Sequence, residues 1–159
     1  MSALRKTFSV ILLLLTLLTV GFIFYNSALP PEKSQEQSST VGDIIAEIIP
    51  PETEAGGFVQ KYLRKIAHFT EYGLLGIELM LLCAVFAKRK LRFGILSLGA
   101  AVLVALIDET VQIFSARGPA VQDIWIDVGG FVFFALITVA LLSVIHLFTV
   151  IVNRIKYAP

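Results

Sequence analysis

A single cysteine, Cys83, stands in a chain of 159 residues, so no intramolecular disulfide is possible and a secreted disulfide scaffold is excluded. Charge is sparse: 16% of residues are charged against 57% hydrophobic, where a soluble domain runs near a quarter charged. With a mean hydropathy of +0.84, that balance excludes a soluble globular enzyme and a disordered chain. There are only two histidines, and Gly-x-Ser-x-Gly, the nucleophile signature of many hydrolases, is absent. What remains is arranged in apolar runs of roughly 20 residues, the length a helix needs to cross a bilayer at 1.5 Å per residue.

Four such runs occur: about 8–25, 66–87, 94–114 and 124–148, the last extending to about Val152. The expected fold is all-α, an integral membrane four-helix bundle forming one membrane domain over residues 1–159. The first run follows Arg5 and Lys6 like a secretory signal, but its core is long and its exit, Tyr25-Asn26-Ser27-Ala28, is a poor cleavage site, so it reads as a retained anchor. Orientation follows from the basic residues. Arg5, Lys6, Lys88, Arg89, Lys90, Arg92, Arg154 and Lys156 fall at one side of the spans, and no Asp or Glu accompanies them. The positive-inside rule then places both termini in the cytoplasm of a multi-pass cell-membrane protein. Lys88 to Arg92 reads as a cytoplasmic loop held by its charge, with no nucleic-acid partner implied.

The long outer connection, residues 26–65, begins with Pro30-Pro31 and a polar, turn-rich stretch expected to be mobile. Val41, Ile44, Ile45, Ile48 and Ile49 then recur at helical spacing, with Thr40 as a capping-box residue and Pro50-Pro51 as the stop. This short amphipathic helix either packs on the bundle or lies on the outer leaflet. Gly56-Gly57 reads as a hinge, and Phe58 to Lys65 as the start of the second membrane helix.

Ionisable groups in hydrocarbon cost several kcal/mol unless partnered, so they face the interior of a bundle or a wet cavity. On the second helix Lys61, Lys65, His68, Glu71, Tyr72 and Glu78 form one polar stripe. Asp108, Gln112 and Ser115 share a face of the third, with Glu109 about 100° round. Asp123 and Asp127 follow at i, i+4 on the fourth, continued by Gly130. By helical rise Glu71 lies about 8 Å, Asp108 about 9 Å and Asp127 about 5 Å below the outer ends of their helices. Glu78 sits about 18 Å deep, with no partner evident. Interhelical hydrogen bonding accounts for any one of these residues. Six carboxylates (Glu71, Glu78, Asp108, Glu109, Asp123, Asp127) exceed what packing requires, and point to a pocket open to the outer side. Lys65 and Arg117 suit a phosphate or carboxylate there. Trp125 and Tyr62 read as interfacial anchors.

The pattern Lys65-x-x-His68-Phe69-x-Glu71-Tyr72-Gly73-Leu74-Leu75, then Asp108-Glu109-x-x-Gln112-x-Phe114-x-x-Arg117, then Asp123-x-x-x-Asp127-x-x-Gly130 resembles the VanZ-like family of bacterial membrane proteins, as does the exit Asn26-Ser27. That family is commonest in Gram-positive bacteria and is named for a protein associated with low-level resistance to the glycopeptide antibiotic teicoplanin. By position, Lys65, His68, Glu71, Tyr72, Asp108, Glu109, Gln112, Arg117, Asp123 and Asp127 occupy the family's polar positions. Members often carry His just before the Gln, where this chain has Val111, and Asn where it has Asp127.

Three classes of function fit the residues. In the first, an envelope protein binds a membrane lipid headgroup, a lipid-linked wall precursor or a glycopeptide in the outer pocket. In the second, an intramembrane hydrolase or transferase acts on a lipid-borne group, with His68, Glu71 and Asp108 as candidate acid/base residues. A divalent metal there would draw on His68, Glu71, Asp108 and Glu109, but the spacing matches no standard zinc pattern, and neither a metal site nor a cofactor is assigned. The third, an ion or proton carrier, is disfavoured by the lack of broken half-helices.

Overall fold

The computed structural model describes residues 3–86, 90–115 and 120–156. They form five helices: α1 (Ala3–Ala28), α2 (Pro31–Ala46), α3 (Glu54–Phe86), α4 (Lys90–Phe114) and α5 (Val121–Lys156). All but α2 are long and apolar enough to cross a membrane. The described residues contain no strand. Apolar helices of this length satisfy their backbone groups internally, the condition for crossing hydrocarbon.

The chain runs up and down. The ends of α1 and α4 and the starts of α3 and α5 meet at one end of the bundle, and α2 lies beside α3 there; we call this the α2 end. Lipid offers helices no hydrophobic drive to associate, so close backbone approach and polar contacts must hold them together. The most extensive pairing is α3 with α5. Gly130 makes it possible: a Cβ there would fall on the Phe69 carbonyl. About two turns further along α3, a Cβ at Gly76 would meet the Phe131 carbonyl. Ile23, Tyr72, Leu75, Met80, Ala101, Ala105, Phe131 and Ala135 fill the centre.

The face that α1 turns inward is Ser9, Leu12, Thr16, Thr19, Ile23 and Ser27, a row at i+3 and i+4 of mostly small polar residues. Thr19 Oγ1 donates to Glu78 Oε1 at 2.8 Å. The deep carboxyl therefore has a partner, contributed by α1.

Several local expectations are corrected. The polar stretch after Pro30, read as turn-rich, is helical. Pro31 occupies the first helical position, where its fixed φ and missing N–H suit a helix start, and Glu32 favours the same turn electrostatically. Thr40 caps nothing; its hydroxyl donates back to the Glu36 carbonyl inside α2 at 2.9 Å. The helix stops at Ala46, and Ile48 and Ile49 continue only as turns closing on the Ile45 carbonyl. Gly56-Gly57 is no hinge. Both lie in the first turns of α3, where Thr53 Oγ1 accepts from the Gly56 N–H at 3.0 Å and a Cβ at Gly56 would strike the Pro50 carbonyl. Lys90 and Arg92 belong to α4 and not to a loop; Lys88 and Arg89 lie outside the described residues. At 1.5 Å per residue, α5 is about 54 Å long, so it tilts or emerges well beyond a bilayer core of about 30 Å.

Adjacent glycines on α5 offer a paired test. Gly130→Ala should lower stability by about 1–3 kcal/mol, because backbone must move to admit the methyl group. Gly129→Ala, whose nearest neighbour would be a Phe69 ring carbon at 4.0 Å, should be neutral or slightly stabilising. Thermal unfolding in detergent reads the difference, and equal effects would refute the α3–α5 register.

Candidate functional site

The polar residues of α3 divide among its neighbours. Lys61 is exposed, with its ammonium 5.2 Å from the Tyr62 ring centroid. Lys65 reaches Asp123 on α5, Nζ to Oδ1 3.7 Å. Glu71 turns to α1, accepting from Asn26 Nδ2 at 2.9 Å. His68 and Tyr72 point inward, toward α4 and α5.

Asp108 is the hub, fully buried. Ser27 Oγ donates to its Oδ1, and Gln112 Nε2 donates to its Oδ2 at 3.1 Å. Gln112 Oε1 in turn accepts from Arg64 Nη2 at 2.8 Å. One chain of contacts therefore runs from α1 through α4 to α3. Ser115 closes it at the rim, its hydroxyl donating to the Ser27 carbonyl at 2.8 Å. Glu109, also buried, faces the turn before α5 and accepts the Ala120 N–H at Oε2, 2.9 Å away. A carboxylate at that point satisfies an otherwise orphaned donor at the helix start and complements its positive end.

Asp127 comes from α5 into the same region and is fully buried. His68 Nδ1 stands 3.6 Å from Asp127 Oδ1 and 3.8 Å from Asp108 Oδ2. Neither oxygen of Asp127 has a hydrogen-bond partner among the described residues, and neither has the buried Tyr72 hydroxyl.

Of the residues singled out from the sequence, His68, Tyr72, Asp108, Glu109, Gln112 and Asp127 gather around this interior. Glu71 borders it on the α1 side, and Lys65 with Asp123 forms its α5 rim. Arg117 lies outside the described residues. The sequence reading missed Ser27 and Asn26 as structural partners, and gave Arg64, one of its available cations, no place among the site residues. The signal for Ser27 was present: it ends the small-polar row on α1. Nothing in the spacing separates Arg64 from the other basic residues of α3. Glu78 and His146 are apart from the cluster, one deep against α1, the other exposed on α5.

A groove of about 560 Å³ opens between α1, α2 and α3. Phe22, Tyr25, Leu29, Val41 and Leu63 give it apolar walls; Lys33, Arg64, His68 and Glu71 give it polar ones. A smaller cleft of about 160 Å³, bordered by Lys61, Lys65 and Asp123, meets His68 from the opposite side.

The decisive comparison is with protein-family models. The VanZ/LLP1 model matches residues 11–145. The chain belongs to the VanZ/LLP1 family. Comparison with curated proteins gives no match, and neither does comparison with solved structures. The VanZ/LLP1 match takes in every residue of the cluster and both walls of the groove, from Phe22 to Asp127. Four apolar helices and this family make the chain a membrane protein.

The Glu109–Ala120 bond gives the site a direct stability test. Glu109→Ala strands a partly buried backbone N–H and should cost about 1 kcal/mol, whereas Glu109→Gln, which keeps an acceptor, should cost less. Unfolding by denaturing detergent measures both. A loss under about 0.5 kcal/mol for the alanine variant would mean that Glu109 does not hold α5.

Proposed function

We propose that this VanZ/LLP1 protein binds the headgroup of an amphiphile at the outer face of the cell membrane: a lipid headgroup, a lipid-linked wall precursor or a teicoplanin-type glycopeptide. The observation that carries this reading is the groove, which sets an apolar wall beside Arg64, Lys33, His68 and Glu71. An amphiphile needs that combination, chains against carbon and headgroup against charge. Arg64 suits a phosphate or carboxylate through paired N–H donors, and Glu71 suits an amine or hydroxyl. The positive-inside rule supports cytoplasmic termini and hence an outward α2 end. Val41 and Ile44 on α2, and Ile48 in the turn after it, are exposed, as in a segment resting on the lipid interface. Occupying an envelope lipid is also a route to altered glycopeptide susceptibility.

The same residues carry an alternative: acid/base or divalent-metal-dependent hydrolysis or transfer on the lipid-borne group, with His68 as base and Glu71 or Asp108 as its partner. One experiment separates the two. The protein in nanodiscs is titrated with a fluorescent polyprenyl phosphate and, separately, with labelled teicoplanin. Binding predicts saturation by one of them, with the probe recovered unchanged. Arg64→Ala should weaken binding of the phosphate at least tenfold, about 1.4 kcal/mol, while Glu71→Gln changes it little. Release of the phosphate during incubation would replace binding by catalysis. Failure of both probes to saturate would overturn the proposal.

A further inference from the structure

We propose that His68 on α3, Asp108 on α4 and Asp127 on α5 form a mononuclear divalent-cation site of the Zn²⁺/Mn²⁺ class. The site does not depend on the amphiphile reading, since it would take the ion alone. Three different helices each supply one ligand atom, and the three atoms lie within 4.8 Å of one another.

The distances leave room for an ion between the ligands. A charge-assisted N–H to carboxylate hydrogen bond is about 2.7–2.9 Å long. His68 Nδ1 stands 3.6 and 3.8 Å from its two carboxylate neighbours, beyond that length. Metal bonds of about 2.0–2.2 Å set tetrahedral ligand atoms about 3.4 Å apart, a spacing that both His68 pairs approach within a few tenths of an ångström.

Two independent observations point the same way. Asp127 is fully buried, yet both its oxygens lack hydrogen-bond partners among the described residues. Such a group in an apolar interior costs free energy unless something compensates it. The buried Tyr72 hydroxyl is likewise unpartnered among the described residues. A water on the ion would give the phenol oxygen a donor to accept from. Asp108, meanwhile, is already oriented by Ser27 and Gln112, the kind of outer support that fixes a ligating carboxylate.

The donor set narrows the ion. One imidazole nitrogen with two carboxylates suits Zn²⁺ or Mn²⁺ better than Mg²⁺ or Ca²⁺, which prefer oxygen alone. Three protein ligands leave at least one position open, and His68 borders both clefts through which an ion could arrive. Linear spacing gives no zinc pattern because the ligands meet only in the folded bundle, and Asp127 takes the place that spacing offered to Glu71 and Glu109.

The test uses the full-length, untagged protein in nanodiscs, stripped with chelator and titrated with Zn²⁺ by calorimetry and with Mn²⁺ by electron paramagnetic resonance. Wild type and Glu78→Gln, whose side chain lies apart from the cluster against Thr19, should each bind one ion per chain, and the ion should raise their melting temperatures. Asp127→Asn should bind at least tenfold more weakly, with no ion-dependent rise in melting temperature. His68→Gln serves as a second variant should Asp127→Asn fail to give a helical, monodisperse protein. Absence of saturable binding by folded wild type would overturn the proposal. So would undiminished binding in whichever of these two variants folds.

Discussion

A polar side chain placed among helices in hydrocarbon has no water to fall back on, and its partners must come from the protein. In this chain that requirement is concentrated at one end of the bundle. Ser27, Asp108, Gln112 and Arg64 bond in sequence across three helices, Asn26 ties Glu71 to α1, and Glu109 accepts the Ala120 N–H at the start of α5. Each partner is competent only because the others hold it in place. Below this layer the helices make few polar contacts, Thr19 with Glu78 being the principal one between helices. They close instead through small residues, with Gly130 against the Phe69 backbone and Gly76 against Phe131. The two devices are coupled. The α3–α5 approach at Gly130 brings Asp127, one turn earlier, up to His68.

The layer serves unequally as glue. Asp108 is surrounded by donors and is best understood as a fixed point. Asp127 and Tyr72 are as deeply buried but lack hydrogen bonds among the described residues. A fold selected only for packing would gain by replacing Asp127 with an apolar residue, since a buried, unsatisfied carboxyl stabilises nothing. Its presence argues for a task beyond helix association. The apolar-walled groove reaches His68 from the α1–α2 side, so any amphiphile held there would sit next to the interior cluster.

The spans and the polar level were legible from the primary structure because both follow from periodicity. Runs of about 20 apolar residues specify crossing helices, and helical rise places Glu71, Asp108 and Asp127 at similar depth. Face assignment was harder. A stripe at i+3, i+4 and i+7 does not say which neighbour each member meets, and α3 turned Glu71 toward α1 but His68 toward α4 and α5. The segment after Pro30 misled because its Ser and Gln residues look like a loop, while Pro31 at the first helical position outweighed them. Ser27 and Thr19 passed as ordinary members of an anchor helix. Their role depends on carboxyls 81 and 59 residues away, and such pairing has no local signature.

The central claim is that the interior polar layer couples helices energetically and does not merely collect polar residues. A double-mutant cycle on Ser27→Ala and Asp108→Ala, measured by reversible unfolding in bicelles, tests it most directly. The two side chains come from α1 and α4 and touch through one hydrogen bond. A coupling energy of about 0.6–1.7 kcal/mol is predicted, the range found for interhelical hydrogen bonds in membranes. Additivity within about 0.3 kcal/mol would show that the two groups are neighbours without a shared interaction, and would contradict the account.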